Sequence, residues 1–245
     1  MFDAKTVKQE MVRWVRAYFK DNAGPDTKAV IGISGGKDSS VVAALCVEAL
    51  GKDRVLGVLM PQGRQRDIKV SRELCKRLGI ESVTINIKVA VQALYGEIEK
   101  TGLGLNSVAA QNTPARVRMA VLYAISGIVG GRVANTSNLS EGFVGYSTKF
   151  GDSAGDFSPL ANLTVAEVKA VGRELGLPEA FIDKTPEDGL SGKTDEDNLG
   201  FTYEVLDRYI RASVCEDAAA REMIERKHKE GRHKATPMPV FRQSC

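Results

Sequence analysis

Ala29-Val30-Ile31-Gly32-Ile33 runs through Ser34-Gly35-Gly36-Lys37-Asp38-Ser39-Ser40 into the nearly all-apolar stretch Val41 to Leu50. A short apolar run without alternation is the pattern of a strand buried on both faces, and the longer run after it reads as a buried helix. Cys46 lies inside that helix and is read as core. Two adjacent glycines at the strand-to-helix turn let backbone N–H groups come close to an anion. The helix N-terminus adds free N–H groups and a partial positive charge. Ser34 and Ser39 offer hydroxyl donors and Lys37 a full charge. The turn from Gly32 to Ser39 is therefore read as a pocket for a phosphate or pyrophosphate. It is not a Walker A loop, because Asp38 follows Lys37 and the spacing from Gly32 is one residue short. Asp38 would repel a phosphate unless a cation lay between them, which points to Mg²⁺. The alternative is that Asp38 caps the helix and needs no ligand.

The alternation continues outward from this turn. Val7, Met11, Trp14, Val15 and Tyr18 recur at helical spacing, so an amphipathic helix runs to about Lys20. Asn22-Ala23-Gly24-Pro25-Asp26 breaks it. Val55 to Met60 reads as a strand, Ile68 to Leu78 as a helix, Ser82 to Ile87 as a strand and Ala90 to Glu99 as a helix. A long helix is expected from about Pro114 to Ile128, then a strand over Arg132 to Asn135. Further helices are expected over Thr164 to Leu175, Tyr203 to Val214 and Ala218 to Lys229. Residues 183–200 read as a long loop. Strands alternating with helices predict an α/β fold, a single domain over 1–245 with a parallel sheet covered on both faces.

The 245 residues carry 34 Lys+Arg and 31 Asp+Glu, a net charge of +3. That balance is too even to imply nucleic acid or a membrane as partner, while a pI near 8.6 suits an anionic substrate. Cys46, Cys75, Cys215 and Cys245 form no C-x-x-C pair, which argues against a zinc or redox motif. Met1-Phe2-Asp3-Ala4-Lys5-Thr6 lacks the apolar core of a signal peptide, and no stretch is long and apolar enough to span a bilayer. A cytoplasmic protein with free thiols is expected.

The turn resembles the pyrophosphatase loop of the N-type ATP pyrophosphatases, enzymes of an adenine-nucleotide α-hydrolase-like, Rossmann-like fold that cleave ATP between its α- and β-phosphates. Later segments narrow the resemblance to the ammonia-dependent NAD⁺ synthetases. Asn112-Thr113-Pro114-Ala115-Arg116-Val117-Arg118-Met119 is similar to that family's N-x-x-A-R-x-R-M. Asn138-Leu139-Ser140-Glu141 and Gly145-Tyr146-Ser147-Thr148-Lys149-Phe150-Gly151-Asp152 resemble its N-x-S-E and G-Y-x-T-K-Y-G-D. Thr194-Asp195-Glu196-Asp197 with Leu199-Gly200 matches T-D-E-x-x-L-G, and His233-Lys234 matches a C-terminal H-K. Met60-Pro61-Gln62-Gly63-Arg64-Gln65-Arg66-Asp67 resembles M-P-x-G-x-Q-x-D.

The resemblance implies that ATP adenylylates the nicotinate carboxylate of deamido-NAD and that ammonia displaces AMP to give NAD⁺. It implies ATP contacts from Gly32, Ile33, Ser34, Gly35, Gly36, Lys37, Asp38, Ser39, Gln65 and Thr136. Lys37, Asp38 and Glu141 would be catalytic, with Asp38 and Glu141 holding Mg²⁺. Arg116, Lys149, Asp156, His233 and Lys234 would bind deamido-NAD. Arg118 is two residues from Arg116 and cannot share its helix face, so it is assigned to a salt bridge or solvent. The family also implies a homodimer with deamido-NAD near the interface, to which Trp14 on the first helix either belongs or is core. About thirty residues before the loop leave no room for a glutaminase domain, so free ammonia, or ammonia from a separate partner, is the expected nitrogen source.

Two departures stand out. Val165 replaces a lysine that contacts ATP in the family, and Glu187, after Pro186, replaces its Ser or Thr. The first removes a cation and the second adds an anion, so ATP affinity should fall or other cations such as Lys169 or Lys193 must compensate. The rival readings are another N-type pyrophosphatase with a different acceptor, and a nucleotide-binding regulatory protein.

Overall fold

The structure is a computed structural model and describes residues 2–64, 68–183 and 194–242. The chain opens with α1 (Ala4–Asn22), capped by Asp3, whose carboxylate accepts from the Lys5 and Thr6 N–H groups. Then come β1 (Ala29–Gly32), α2 (Lys37–Leu50), β2 (Val55–Leu59), α3 (Ile68–Leu78) and β3 (Glu81–Thr84). Next are α4 (Lys88–Glu99), α5 (Ser107–Val129) and β4 (Arg132–Val133). The remainder is helical: α6 (Leu139–Phe143), α7 (Val165–Glu174), α8 (Glu179–Ile182), α9 (Asp195–Leu199), α10 (Tyr203–Ala212) and α11 (Ala218–Ala235).

The four strands lie in the order β3-β2-β1-β4 and pair in parallel throughout. Because side chains alternate across a strand, β1 and β2 feed two cores at once. Ala29, Ile31, Val55 and Leu59 face α1, α2, α7 and α8. Val30, Leu56 and Val58 face α4 and α5. This is why the strand sequences read as unbroken apolar runs. A third cluster, away from the sheet, joins Val144, Val165, Leu199, Phe201, Tyr203, Leu206 and Ile224.

The chain leaves β1 toward β2 on one side, and β4 returns on the other. Such a reversal of strand order opens a crevice beyond the C-terminal strand ends, and the glycine turn sits there.

Three expectations need correction. The long helix begins at Ser107, behind the cap of Asn106, and runs through Pro114. Proline has no N–H for the Ala110 carbonyl four residues back, and the Tyr95 hydroxyl takes that carbonyl instead at 2.8 Å. The strand expected over Arg132 to Asn135 is only two residues long, continued by a bridge from Ala134 to Phe157. Within 183–200, residues 195–199 are helical. Thr194 and Asp197 form a reciprocal capping box there, the Thr194 hydroxyl accepting from the Asp197 N–H. Gln65, Pro186, Glu187, Lys193 and Cys245 lie outside the described residues.

Candidate active site

The helix expected from Val41 starts at Lys37, so Lys37, Asp38 and Ser39 form its first turn. Its N-cap is Gly36, which has no capping side chain. Asp38 is therefore not the cap. Intrahelical bonding begins with the Ser40 N–H on the Gly36 carbonyl at 3.2 Å, leaving the Lys37, Asp38 and Ser39 N–H groups without an intrahelical partner. Gly35 has φ +81°, and a Cβ there would meet Ser71 Oγ at 3.0 Å. Ser71 Oγ is itself buried with no hydrogen-bond partner.

The serine hydroxyls differ from expectation. Ser34 Oγ accepts from the Gly36 N–H at 3.2 Å and lies 3.1 Å from Ser39 Oγ, which donates to the Gly36 carbonyl at 3.2 Å. They brace the turn, which leaves the Lys37, Asp38 and Ser39 amides as the donors available to an anion.

Lys37 is 2% exposed. Its Nζ donates to Asp38 Oδ2 at 2.9 Å and lies 5.6 Å from the centre of the Tyr203 ring. Burial works against its charge, but Asp38, Glu141 and Asp195 outweigh that and hold the ammonium above its ordinary pKa.

Asn138 ties this cluster to α6 across one hundred residues of sequence. Its Nδ2 donates to Asp38 Oδ1 at 3.0 Å, its backbone N–H donates to Glu141 Oε2 at 3.2 Å, and its Oδ1 accepts from the Glu141 N–H at 3.0 Å. Burial and then the neighbouring Asp38 push the Glu141 carboxyl up to about 8. Two hard carboxylates that repel one another suit a cation that takes one or two protein carboxylates and fills its shell with water and phosphate oxygens. Mg²⁺ fits that donor set. Among the described residues no group of three or more His, Cys, Asp or Glu is placed to hold a metal.

Asp195 closes the other side. Tyr146 and Tyr203 donate to its two oxygens at 3.1 and 3.4 Å, and burial still raises its pKa. A cavity of about 540 Å³ opens here, lined among others by Lys37, Val165, Lys169, Asp195 and Tyr203.

Four of the five residues assigned to the acceptor gather elsewhere, around 145–149 and the end of α11. Arg116 Nε donates to the Lys149 carbonyl at 3.2 Å, and Lys149 Nζ donates to the His233 carbonyl at 2.6 Å. Lys234 Nζ donates to the Gly145 and Ser147 carbonyls at 2.8 and 2.9 Å. Asp156 is apart from them. Its carboxylate accepts from the Val133 N–H at 2.7 Å and the Tyr123 hydroxyl at 3.3 Å, beside α1. Thr136 follows β4 at the crevice, half-buried. Arg118 is half-buried and makes no salt bridge among the described residues. Its Nε donates to the Met60 carbonyl at 3.1 Å, and burial lowers its pKa.

Sequence reasoning gave no role to Asn138, Asp195 or Tyr203. The first two stood inside quoted motifs. Tyr203 was read only as the start of a helix.

A parallel sheet whose inner strand ends in an amide-lined turn, with a buried lysine and paired acids, defines an ATP-using α/β enzyme of the pyrophosphatase-loop class. A family model described as NAD synthase matches residues 7–238. The chain belongs to the NAD synthase family, and it is a ligase that forms carbon–nitrogen bonds. It is 38% identical over 220 residues to the NH(3)-dependent NAD(+) synthetase of Pyrococcus furiosus, covering 88% of this chain and 84% of that one. Among solved structures it resembles the NMN synthetase from Francisella tularensis, with TM-score 0.90, 33% identity and coverage of 98% and 99% of the two chains. The NH3-dependent NAD synthetase from Campylobacter jejuni, solved with a nitrate ion, gives TM-score 0.79 and 28% identity over 99% and 100%.

Proposed function

We propose that the protein amidates the nicotinate carboxyl of deamido-NAD with ammonia. ATP is cleaved between its α- and β-phosphates, a carboxylate oxygen takes the adenylyl group and pyrophosphate departs. Ammonia then attacks the acyl carbon, and AMP leaves with the C–O electron pair as the amide forms. The observation that carries the reading is Lys37, buried at the start of α2 beside Asp38.

The amides of the turn and the Lys37 ammonium face the charge that builds on departing pyrophosphate, where fixed donors lower the barrier most. Asp38 and Glu141 would hold Mg²⁺, which when bound supplies Lewis-acid neutralisation of phosphate oxygens. No residue of the chain needs to form a covalent bond, since positioning of the reactants removes much of the barrier. Arg116, Lys149 and Lys234 supply positive charge, and His233 a ring nitrogen, for the acceptor's pyrophosphate and carboxylate.

We place the working form as a homodimer. Tyr18, on which the half-exposed Trp14 stacks at 6.2 Å, and the exposed Tyr123 both donate to Asp156, and the family resemblance puts the acceptor near such an interface. Cys46, Cys75 and Cys215 are free, which supports a reducing, cytoplasmic setting.

A second reading has one observation in its favour. The Francisella NMN synthetase superposes with TM-score 0.90, against 0.79 for the Campylobacter NAD synthetase. On that reading the acceptor is nicotinate mononucleotide, which lacks the adenylate half.

One assay tests both. Protein, Mg²⁺-ATP and ammonium salt are incubated with deamido-NAD or nicotinate mononucleotide, and kcat/KM is compared. AMP, pyrophosphate and NAD⁺ are the expected products, with deamido-NAD the better acceptor. A higher kcat/KM for the mononucleotide selects the second reading. ADP as product, or bound ATP without turnover on either acceptor, overturns both.

A further inference from the structure

The cavity beside the glycine turn has an uneven wall. Among the described residues its lining includes five acids, Asp183, Asp195, Glu196, Glu204 and Asp207, and two cations, Lys37 and Lys169. Polyphosphate could not enter unless the acids were occupied and a cation were available.

Most of the acids are occupied. Asp195 accepts from two tyrosine hydroxyls. Asp207 accepts from Ser140 Oγ at 2.5 Å and the Ala166 N–H at 2.9 Å. Glu196 accepts from the Tyr203 N–H at 2.8 Å. Of the two cations, Lys37 is enclosed and committed to Asp38. Lys169 is different. Its side chain is 34% exposed, and its Nζ rests on Asp183 Oδ1 at 2.9 Å. An exposed ion pair of that kind is weak and easily exchanged. Asp183 does not depend on it, because Arg173 Nη2 donates to the other oxygen at 3.0 Å.

Position along α7 completes the case. Val165 and Lys169 are one turn apart and line the same cavity. Val165 is 6% exposed and packs into the third cluster, its N–H donating to Ser140 Oγ at 3.1 Å. The wall of α7 therefore offers no cation at 165 and a partly exposed one at 169.

We infer that Lys169 is the second phosphate-binding cation of this cavity, held on Asp183 and transferred to the terminal phosphates when the nucleotide arrives. This rests on the reading of the glycine turn as the nucleotide site. Asp183 is thus a competitor for the lysine, and Arg173 keeps the carboxylate paired after the transfer.

The test is calorimetric titration of the full chain with Mg²⁺-pyrophosphate and Mg²⁺-ATP, with melting curves confirming the fold of each variant. Lys169→Met should weaken pyrophosphate binding about tenfold or more, the scale of one charge-assisted contact, while Lys169→Arg retains it. Asp183→Asn should strengthen binding, because it frees the lysine. The opposite signs are decisive, since a merely structural ion pair would shift both variants the same way. Wild-type-like binding by Lys169→Met, or weakening by both variants, overturns the inference and leaves the nucleotide site standing. Failure of the wild type to bind either probe overturns the nucleotide reading and this inference with it.

Discussion

Asp38 joins the buried lysine of the turn to the loop before α6. It accepts from buried Lys37 on one oxygen and from Asn138 on the other, and it is one of the two carboxylates proposed for Mg²⁺. Asp38→Asn keeps the shape and removes the charge. It should cut turnover roughly a hundredfold or more with the protein still folded, as steady-state rates and circular dichroism would check. A near-full rate would mean that the carboxylate serves only the helix start. Lys37, Asp38 and the glycines were legible in sequence because a strand, a turn and a helix follow one another without interruption. The contribution of Asn138 was not, because it bonds across one hundred residues. Nor were the true bonds of Ser34 and Ser39, which depend on the path of the turn rather than on residue type. Arg118 shows a further limit. Helical spacing separates it from Arg116, but only the tertiary fold brings the Met60 carbonyl to it.

At the scale of elements, α3 runs over the expected Ile68–Leu78, where apolar spacing is regular and nothing competes. Pro114 misled the reading of α5, since proline marks a helix start more often than its interior and the hydroxyl that rescues Ala110 comes from another helix. The seating of α11 also escaped the sequence. A Cβ on Gly231 would lie 2.6 Å from Gly145 Cα, and a Cβ on Gly145, at φ +64°, would lie 2.5 Å from Gly231 Cα. The two backbones meet bare, which brings Lys234 onto the Gly145 and Ser147 carbonyls. Gly231→Ala should therefore cost about 2 kcal/mol or more, read from denaturant melts. It should also raise KM for the acceptor more than KM for ATP. Equal stability of the variant would show that the contact yields freely.

For the whole molecule, the α/β class and the two covered faces followed from composition and alternation. The strand order did not, because nothing local tells β4 to return beside β1. The cluster around Leu206 and Ile224 was likewise unreadable, since its members come from α6, α7 and α9 to α11. Assembly belongs to this scale. Light scattering should give twice the chain mass of 26.5 kDa, and Trp14→Glu should reduce it toward one chain. A wild type of single-chain mass would remove the proposed homodimer. The placement of β1 has one more consequence. It is hydrogen-bonded on both sides, and Val30 and Ile31 are sealed from water. The turn proposed to hold the phosphates thus grows from a strand that is paired on both edges, whereas the opposing wall is pieced together from brief helices on a core of its own. Any closing of the hollow on the proposed nucleotide would therefore fall to that far wall.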